Sequence, residues 1–303
     1  MLFLGLDTGG TQTRWALVDE AGTVHREGLA AGFSGTQLHD SHDAHETAAH
    51  AAVVQALREV AAGAAPVQRA LAGVTGLDAA QAPLLGGLLA RALGIDAAAV
   101  QVMSDIELAC RAHCAPGQGV LVYAGTGSIA AFIDAQGTLH RAGGRGPVID
   151  DAGGGHWIAR QALRQVWRAE DQAPGASAHS PLAQQLFKAI GGSDWSQTRQ
   201  WVYGATRGEL GTLALAVAAA ADEDPVALAL LQAAGTELAR LATALRHRFG
   251  PLPVVLAGRV FDLHPAVQTS LQQALPAGTP VQRAQAGAQA HVEAARIAAR
   301  MGP

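Results

Sequence analysis

Short apolar runs separated by polar turns open the chain and predict β-structure. The first run ends at Asp7, and a Gly-rich loop at 8–11 leads directly into the second run. The turn after the second run contains Asp19, which can bond its own backbone, and Gly22, which can adopt positive φ, so it predicts a hairpin. The three predicted strands cover residues 2–6, 15–18 and 23–26.

The apolar spacing then changes and predicts alternating helices and strands. Apolar residues recur at helical spacing in three segments, 39–62, 79–93 and 106–113. An apolar run at 70–74 predicts a buried strand, and the segment 100–103 predicts another strand, each between two of these helices. The resulting order, a three-strand meander followed by crossover helices and strands, is that of an RNase H-like unit.

A second unit of the same kind follows. A strand at 119–124, the loop at 125–128 and a returning strand at 129–133 repeat the opening pattern. The segments 19–26 and 134–141 also match closely in residue type, which indicates an internal repeat. The later predicted elements are a mostly helical region at 180–248 with breaks at 191–192 and 204–208, a strand at 253–257, a helix at 264–274, a short strand at 281 and a final helix at 287–301.

The repeat predicts two domains of the α/β class. We expect an N-terminal RNase H-like domain formed by residues 1–114 with a returning C-terminal helix at 288–303. The second RNase H-like domain should cover 115–287 and carry a helical insertion. A chain of 303 residues is long enough for two hydrophobic cores. Because each domain offers a loop rich in Gly and Thr, we expect the two domains to face each other across an interdomain cleft and to bind a nucleotide's phosphates.

Composition narrows the classes of partner. Apolar residues make up 49% of the chain and charged residues only 15%, which suits a large core. The net charge of −4 argues against nucleic acid or an anionic membrane as the main partner. The N-terminal run is too interrupted for a signal peptide, and only Cys110 and Cys114 are present, so we expect a reducing, cytoplasmic location. The apolar stretch at 210–221 is too short to span a bilayer.

The loop between the first two strands carries the first candidate site. Gly9 and Gly10 have no Cβ, so their backbone N–H groups can approach an anion closely. Asp7, at the strand end, is suited to hold a hydrated Mg²⁺ through water. Hydroxyl donors follow at Thr8, Thr11 and Thr13. The loop enters a strand rather than a helix, which excludes a P-loop or a Rossmann turn. An ordinary Gly-rich β-turn is the alternative interpretation.

Two later strands end in polar residues that belong beside this loop. Thr75 follows one of these strands, and Ser104 and Asp105 close the other. Ligands of open α/β sheets bind outside the carboxyl ends of the strands, so Asp7, Thr75 and Asp105 should converge. Asp105 also precedes a helix, and capping of that helix is the alternative role.

A Gly-rich segment at 143–155 forms a further candidate site. It contains too much glycine for regular structure, and it carries two adjacent acids, Asp150 and Asp151. Carboxylates accept hydrogen bonds from paired hydroxyl groups, so such a loop before a helix is typical of polyol binding. A flexible interdomain hinge is the alternative.

Taken together, these motifs resemble the N-acetylglucosamine kinase and glucosamine kinase branch of the actin-like superfamily, the group that includes the BadF/BadG-type ATPases. The resemblance extends over nearly the whole chain. Asp7-Thr8-Gly9-Gly10-Thr11 is similar to the first phosphate motif, Gly125-Thr126-Gly127-Ser128 to the second, and Leu256-Ala257-Gly258-Arg259 to the adenosine motif. Gly287-Ala288 and the helix after it are similar to the closing connector.

The resemblance implies roles for individual residues. It implies that Asp105 is the catalytic base. It also implies that the two phosphate motifs and the adenosine motif bind the nucleotide. The implied sugar-binding positions are Ser34, Thr36, Thr75, Asp105, Gly144 and Asp151. Two departures affect the sugar side. Arg145, Asp150 and Ala152 replace a Trp, a Gly and a Glu, and the Asn usual in the family is not plainly present at 32–37.

Residues and resemblance lead to one hypothesis and two alternatives. The hypothesis is phosphorylation of the 6-hydroxyl of an amino sugar, N-acetylglucosamine or glucosamine, by ATP and Mg²⁺, with Asp105 as general base. The first alternative is an ATPase that activates a CoA-ester reductase or dehydratase, which would need cluster-binding cysteines that the 143–155 loop lacks. The second is a non-catalytic sugar sensor, which the expected absence of a DNA-binding segment before Met1 disfavours. The sequence leaves the oligomeric state open, and a homodimer is one of the possibilities.

Overall fold

The chain folds into two compact units. The computed structural model describes residues 1–38, 44–64, 66–284 and 289–301, without the side chains of 44–49. Unit 1 comprises Met1–His113 and Gln285–Pro303, and unit 2 comprises Cys114–Ala284. The predicted first helix turn at 39–43 and the predicted connector at Gly287-Ala288 lie outside the described residues.

Unit 1 is built on a mixed sheet. Its strands are β1 (Phe3–Thr8), β2 (Gln12–Val18), β3 (Val24–Ala31), β4 (Arg69–Val74) and β5 (Val100–Ser104), and its first helices are α1 (Ala44–Ala64), α2 (Ala82–Leu93) and α3 (Asp105–His113). The strand order is β3-β2-β1-β4-β5. The first three strands pair antiparallel, and β4 and β5 continue in parallel with β1. The carboxyl ends of β1, β4 and β5 therefore share one edge of the sheet.

Unit 2 repeats this plan with more helices. Its strands are β6 (Val120–Ala124), β7 (Ser128–Ile133), β8 (Leu139–Gly143), β9 (Val254–Ala257) and β10 (Val281–Arg283). Its helices are α4 (Gly155–Gln172), α5 (Pro181–Ile190), α6 (Trp195–Gly204), α7 (Arg207–Thr212), α8 (Ala214–Ala220), α9 (Pro225–Phe249) and α10 (Pro265–Ala274). The order β10-β9-β6-β7-β8 matches that of unit 1. The predicted α/β class with two RNase H-like strand arrangements is confirmed.

The last helix, α11 (Ala290–Arg300), belongs to unit 1 and covers one face of its sheet. Its alanines pack in a core cluster with Phe3 and Leu71, whereas Leu4 and Leu6 face the opposite cluster, which includes residues of α1 and α2. A strand buried on both faces is expected to be a continuous apolar run, as β1 is from Phe3 to Leu6. A Cβ at Gly5 would lie only 2.0 Å from the backbone oxygen of His291, so β1 and α11 are in direct backbone contact.

The internal repeat is confirmed at the level of single hydrogen bonds. In the first copy, Asp19 Oδ1 accepts from the N–H groups of Ala21 and Thr23 at 2.9 and 3.0 Å, and Oδ2 lies 2.8 Å from His25 Nε2. In the second copy, Asp134 makes the same bonds at 3.0, 2.8 and 2.8 Å. The second-copy partners are Gln136, Thr138 and His140. Both turns therefore use one Asp to fix the hairpin and its following His.

Several element boundaries differ from the sequence prediction. β3 continues to Ala31 and does not end at residue 26, because its later residues pair with β2 as far as Gln12. Gly143 belongs to β8, so regular structure extends one residue into the predicted loop. α3 begins at Asp105 itself. None of the described helices combines the length and the hydrophobicity that a membrane crossing requires.

Candidate active site

The first candidate phosphate loop closes β1 onto β2. Thr8 pairs with Thr13 at the end of the ladder, and the Gly9 N–H donates to the Gln12 carbonyl at 3.0 Å. Gly10 and Thr11 at the tip are exposed, as an anion-binding loop requires. The structure also identifies Gly32, which the sequence did not single out. A Cβ there would lie 2.1 Å from the Gln12 nitrogen and 2.4 Å from the Gly9 oxygen, so only glycine fits behind the loop.

The threonines flanking this loop are buried and differ in their bonding. Thr13 is fully buried, and its hydroxyl donates to the Ala31 carbonyl at 2.9 Å, so that hydroxyl serves the sheet in this structure. Thr8 is also fully buried, and its Oγ1 has no hydrogen-bond partner among the described residues. A buried hydroxyl without a partner costs free energy. Thr8 is thus a stronger candidate than Thr13 for contact with a bound group.

Asp7 and Asp105 lie within electrostatic reach of each other at the carboxyl edge of the sheet. Burial and then the negative charge of Asp105 raise the pKa of Asp7 above the usual aspartate value, while His291 and Arg14 act in the opposite direction. The sheet register aligns Thr8, Val74 and Ser104, so Asp7 and Asp105 both lie at the carboxyl edge of the unit 1 sheet, as predicted. Two neighbouring carboxylates favour a bound cation.

Helix capping at α3 is carried by Ser104. Its Oγ accepts a hydrogen bond from the Glu107 N–H at 3.3 Å, whereas Asp105 Oδ1 accepts from the adjacent Ile106 N–H at 2.7 Å. The side chain that bonds the third residue of the helix is thus Ser104. The bond from Ser104 to the Glu107 N–H therefore supplies the capping that was the alternative role for Asp105.

The predicted sugar-binding hydroxyls of unit 1 lie together. The Thr75 N–H donates to the Thr8 carbonyl at 3.0 Å, which places Thr75 next to the first phosphate loop. Ser34 Oγ donates to the Thr75 carbonyl at 3.2 Å and lies 2.9 Å from Thr36 Oγ1. Gly76 adopts φ +64°, and a Cβ there would lie 2.5 Å from Ser34 Oγ. Three hydroxyl residues therefore lie together beside the end of β1, next to Thr8.

The second candidate phosphate loop connects β6 to β7 in unit 2. The Gly125 N–H donates to the Gly127 carbonyl at 2.9 Å, and Ser128 Oγ donates to the Ala152 carbonyl at 2.7 Å. The first amides of α4, those of Gly155 and His156, donate to the carbonyls of Gly125 and Thr126 at 2.8 and 3.0 Å. The loop and the N-terminus of α4 therefore form one connected backbone structure.

The predicted adenosine motif lies beside the second loop. Gly258 adopts φ +98°, and a Cβ there would lie 2.3 Å from the backbone oxygen of Ala124, the last residue of β6. Arg259, which follows, is exposed. Close packing without a side chain lets the turn after β9 approach the start of the phosphate loop.

The two acids of the 143–155 loop have separate cationic partners. Asp150 Oδ2 accepts from Arg240 at 3.0 Å, and the buried Asp151 forms an ion pair with Arg207 through Oδ2. Asp151 Oδ1 accepts from the Gly146 N–H at 3.2 Å. Gly144, with φ +67°, packs against Ile129, and its N–H donates to the Ser128 carbonyl at 3.1 Å. No sequence pattern predicted the two arginines, because they come from later helices.

The described residues contain no cluster of three or more His, Cys, Asp or Glu side chains that could hold a metal by themselves. Mg²⁺ does not need such a cluster, since it keeps several waters and binds one or two carboxylates together with substrate phosphates. The carboxylates of Asp7 and Asp105, at the same edge of the sheet, fit this need for one or two carboxylate ligands.

Comparison with known proteins decides the family. A family model described as the BadF/BadG/BcrA/BcrD ATPase family matches residues 4–291. The chain belongs to this family. The family resemblance drawn from the phosphate motifs, the adenosine motif and the C-terminal connector is thereby confirmed.

Two proteins similar to this chain carry the name of N-acetylglucosamine kinase, one of them provisionally. An N-acetyl-D-glucosamine kinase of Dictyostelium discoideum is 27% identical over 215 residues, which cover 67% of this chain and 64% of that kinase. The match thus spans less than two thirds of the relative. A solved structure from Chromobacterium violaceum, provisionally named an N-acetylglucosamine kinase, is 26% identical with a TM-score of 0.73 and covers 98% of each chain.

A second structure shows the same fold at lower identity. It comes from Porphyromonas gingivalis, carries the same provisional name, and is 20% identical with a TM-score of 0.74 over 96% of this chain and 97% of its own. At this identity the similarity shows the fold alone. Both comparisons confirm the actin/hexokinase-like form of the α/β class.

We expect Asp7→Asn to raise the melting temperature of the ligand-free protein at neutral pH. Folding raises the pKa of Asp7, so its ionised form opposes folding. This cost is fully present above the raised pKa and disappears as the pH falls towards the unfolded value of about 4. Thermal unfolding over a pH series should show the advantage of the variant shrinking on acidification.

Asp19→Asn is the matched control with the opposite sign. The His25 hydrogen bond, followed by backbone bonds, lowers the pKa of Asp19, so its carboxylate stabilises the fold at neutral pH. That contribution is lost as the pH falls through the lowered pKa. An Asp7→Asn protein that melts below the wild type at neutral pH would contradict the expected sign.

Proposed function

We propose that this protein is an ATP-dependent kinase that phosphorylates the 6-hydroxyl of an amino sugar, N-acetylglucosamine or glucosamine. One observation carries the proposal. The hydroxyl cluster of Ser34, Thr36 and Thr75 adjoins a Gly-Gly-Thr loop and the Asp7–Asp105 pair at one sheet edge. Hydroxyl groups suit a polyol, a glycine loop suits a phosphoryl group, and a carboxylate suits the proton that must leave. The family and the kinase relatives support this assignment.

Asp105 is proposed as the general base. It accepts the proton of the sugar hydroxyl as that oxygen attacks the γ-phosphorus of ATP. A loose phosphoryl-transfer transition state needs positioning and charge stabilisation more than a strong base. Asp7 would hold Mg²⁺ through water, and the metal would neutralise charge on the phosphates. The exposed tip of the first loop, Gly10 and Thr11, supplies N–H and hydroxyl donors for phosphate oxygens.

Unit 2 is proposed to bind the nucleotide. The loop Gly125–Ser128 presents backbone to phosphate oxygens, and the turn at Gly258-Arg259 lies beside that loop, where the resemblance places adenosine. Gly144 and Asp151 stay predictions as sugar-binding residues. Their position in a loop joined to the second phosphate loop through Ser128 is compatible with a ligand near both.

The test is an ATP-coupled assay with N-acetylglucosamine, glucosamine, N-acetylmannosamine and glucose. We expect ADP release that depends on one of the amino sugars, and ³¹P–¹³C coupling in the product should locate the phosphate on carbon 6. Asp105→Asn, assayed in parallel, controls for contaminating kinases. ATP hydrolysis that no sugar accelerates would refute the proposal.

The same preparation separates the alternatives. An activator ATPase of a reductase or dehydratase would carry iron, whereas the cysteines of this chain are buried at and just after α3. We therefore expect a colourless, iron-free protein. Calorimetric binding of an amino sugar without any turnover would instead favour a sensor.

A further inference from the structure

Arg207 lies directly against the second phosphate loop. A Cβ on Gly127 would lie 2.3 Å from Arg207 Nη2 and 2.6 Å from Asp151 Oδ2, so the ion pair occupies the face where a side chain would stand. Gly211, on the same helix as Arg207, lets α7 approach, since its Cβ would be 3.3 Å from Thr126 Cγ2. Because Gly127 and Gly211 have no side chain, the Arg207 guanidinium can lie directly on the backbone of the loop.

The two partners of this ion pair differ strongly in exposure. The Asp151 side chain is 3% exposed, whereas that of Arg207 is 44% exposed. Both Asp151 oxygens have donors, the Gly146 N–H on one and Arg207 on the other. A guanidinium carries five N–H donors in a fixed fork, so the buried carboxylate can fix the orientation of Arg207 while other donors stay available to a ligand.

The surroundings of Arg207 favour an anion. Burial, then the positive charges of Arg207 and Arg160, lower the pKa of His156 below its usual value, which places both arginines near the first turn of α4. The N-terminus of that 18-residue helix also carries a positive partial charge. Arg207 and the first turn of α4 therefore adjoin the loop Gly125–Ser128, and Arg160 lies one turn further along α4.

Asp151 holds an unusual backbone conformation at this place. Among the described residues it is the one non-glycine residue with positive φ, at +60°. Such a conformation persists only where the surroundings enforce it, and it is common at ligand sites. The contacts of Asp151 include the Gly146 bond, the Arg207 ion pair and a hydrogen bond from the Gly154 N–H to the Asp151 carbonyl at 3.1 Å.

We propose that Arg207 binds the phosphate groups of the nucleotide at the second loop and that Asp151 is the residue that positions it. The inference rests on the proposed function, which assigns ATP to unit 2. A fork-shaped cation suits phosphate oxygens better than a point charge does. Asp151 then acts on the nucleotide side through Arg207, whereas the family resemblance assigns it to the sugar. The two roles differ in the ligand that is lost on substitution.

Calorimetry of the full chain with ATP, ADP and adenosine tests the role of Arg207. We expect Arg207→Gln to weaken ATP and ADP roughly 10- to 100-fold, the range for loss of a charged hydrogen bond. Adenosine lacks phosphate, so its affinity should change by less than about twofold. Arg207→Lys keeps the charge without the fork and should restore part of the loss. Arg240→Gln, which breaks the neighbouring Asp150 ion pair, is the matched control and should leave all three affinities unchanged.

A double-mutant cycle tests the positioning role of Asp151. Asn tolerates the left-handed conformation, so Asp151→Asn keeps the backbone while weakening the ion pair. We expect it to weaken ATP binding in the wild-type background and to have no further effect in the Arg207→Gln background. Asp151→Asn that raises only the sugar KM and leaves ATP binding intact would overturn the inference and assign Asp151 to the sugar.

The failures are distinguishable. A wild-type protein that binds no ATP would refute the proposed function itself. If the wild type binds ATP and Arg207→Gln binds it equally tightly, only the role of Arg207 is refuted. Equal loss of ATP and adenosine in Arg207→Gln would show damage to the whole nucleotide site and would also count against a phosphate contact.

Discussion

Asp105→Asn is expected to reduce turnover by roughly two to four orders of magnitude while ATP binding stays nearly intact. The amide cannot accept the proton of the sugar hydroxyl, yet it has almost the same shape as the carboxylate. The Oδ1 bond from the Ile106 N–H can be kept by the amide oxygen. The loss should therefore fall on kcat, measured at saturating sugar and ATP, and not on the stability of α3.

Ser104→Ala separates catalysis from helix capping. Removing the Ser104 hydroxyl deletes the bond to the Glu107 N–H and should lower stability by about 1 kcal/mol, with turnover close to that of the wild type. Near-normal turnover of Asp105→Asn at saturating sugar would exclude Asp105 as the base. Equal losses of turnover in the two variants would indicate that the start of α3, and not the carboxylate, is what activity requires.

Gly5→Ala is expected to detach α11 from the sheet of unit 1. The new methyl group would lie 2.0 Å from the His291 oxygen and 2.1 Å from the Ala295 nitrogen, and both are backbone atoms that cannot turn away. Overpacking in a core commonly costs about 1–3 kcal/mol, and overlap with two backbone atoms should reach or exceed the top of that range. Hydrogen–deuterium exchange should accelerate in β1 and α11, and amides of unit 2 should keep their protection.

Gly87→Ala provides the matched control within unit 1. Its methyl group would meet only Arg91 Nη1 at 3.8 Å, an ordinary contact, and it lies inside α2. Replacing a helical glycine by alanine should stabilise by about 0.5–1 kcal/mol. Unchanged exchange in α11 of Gly5→Ala would mean that the helix is not held by this contact.

Local chemistry explains what the sequence could predict. The turns at Asp19 and Asp134 form from side chains within six residues of one another, so their pattern is visible in the sequence and the structure shows the same bonds in both copies. The strand ends that bring Thr75 beside the first loop also follow from a general rule, because parallel strands present their carboxyl ends at one edge. The first prediction depended on contacts between residues close in sequence, and the second on the topology of the sheet. Neither required knowledge of side-chain packing.

Long-range pairing explains what the sequence missed. Arg207 is 56 residues from Asp151 and comes from a short helix with no distinctive motif, so nothing local announces the ion pair. Gly32 looks like one more loop glycine until the Gln12 backbone is placed against it. The sequence suggested Thr13 as a hydroxyl donor of the loop. Its acceptor, the Ala31 carbonyl, lies in the part of β3 beyond residue 26, which the sequence did not predict.

The position of α11 in the chain has a consequence for synthesis on the ribosome. Unit 1 receives this helix only after all of unit 2 has been made. At roughly 5–20 residues per second, translation of the about 170 residues of unit 2 takes roughly 9–34 s. Throughout that interval the nascent sheet presents Phe3, Leu71 and Met103 without their alanine-rich cover. If translation stalls before Ala290, this apolar face stays exposed to chaperones and proteases. We therefore expect unit 1 to complete its folding only after the C-terminal helix has been synthesised.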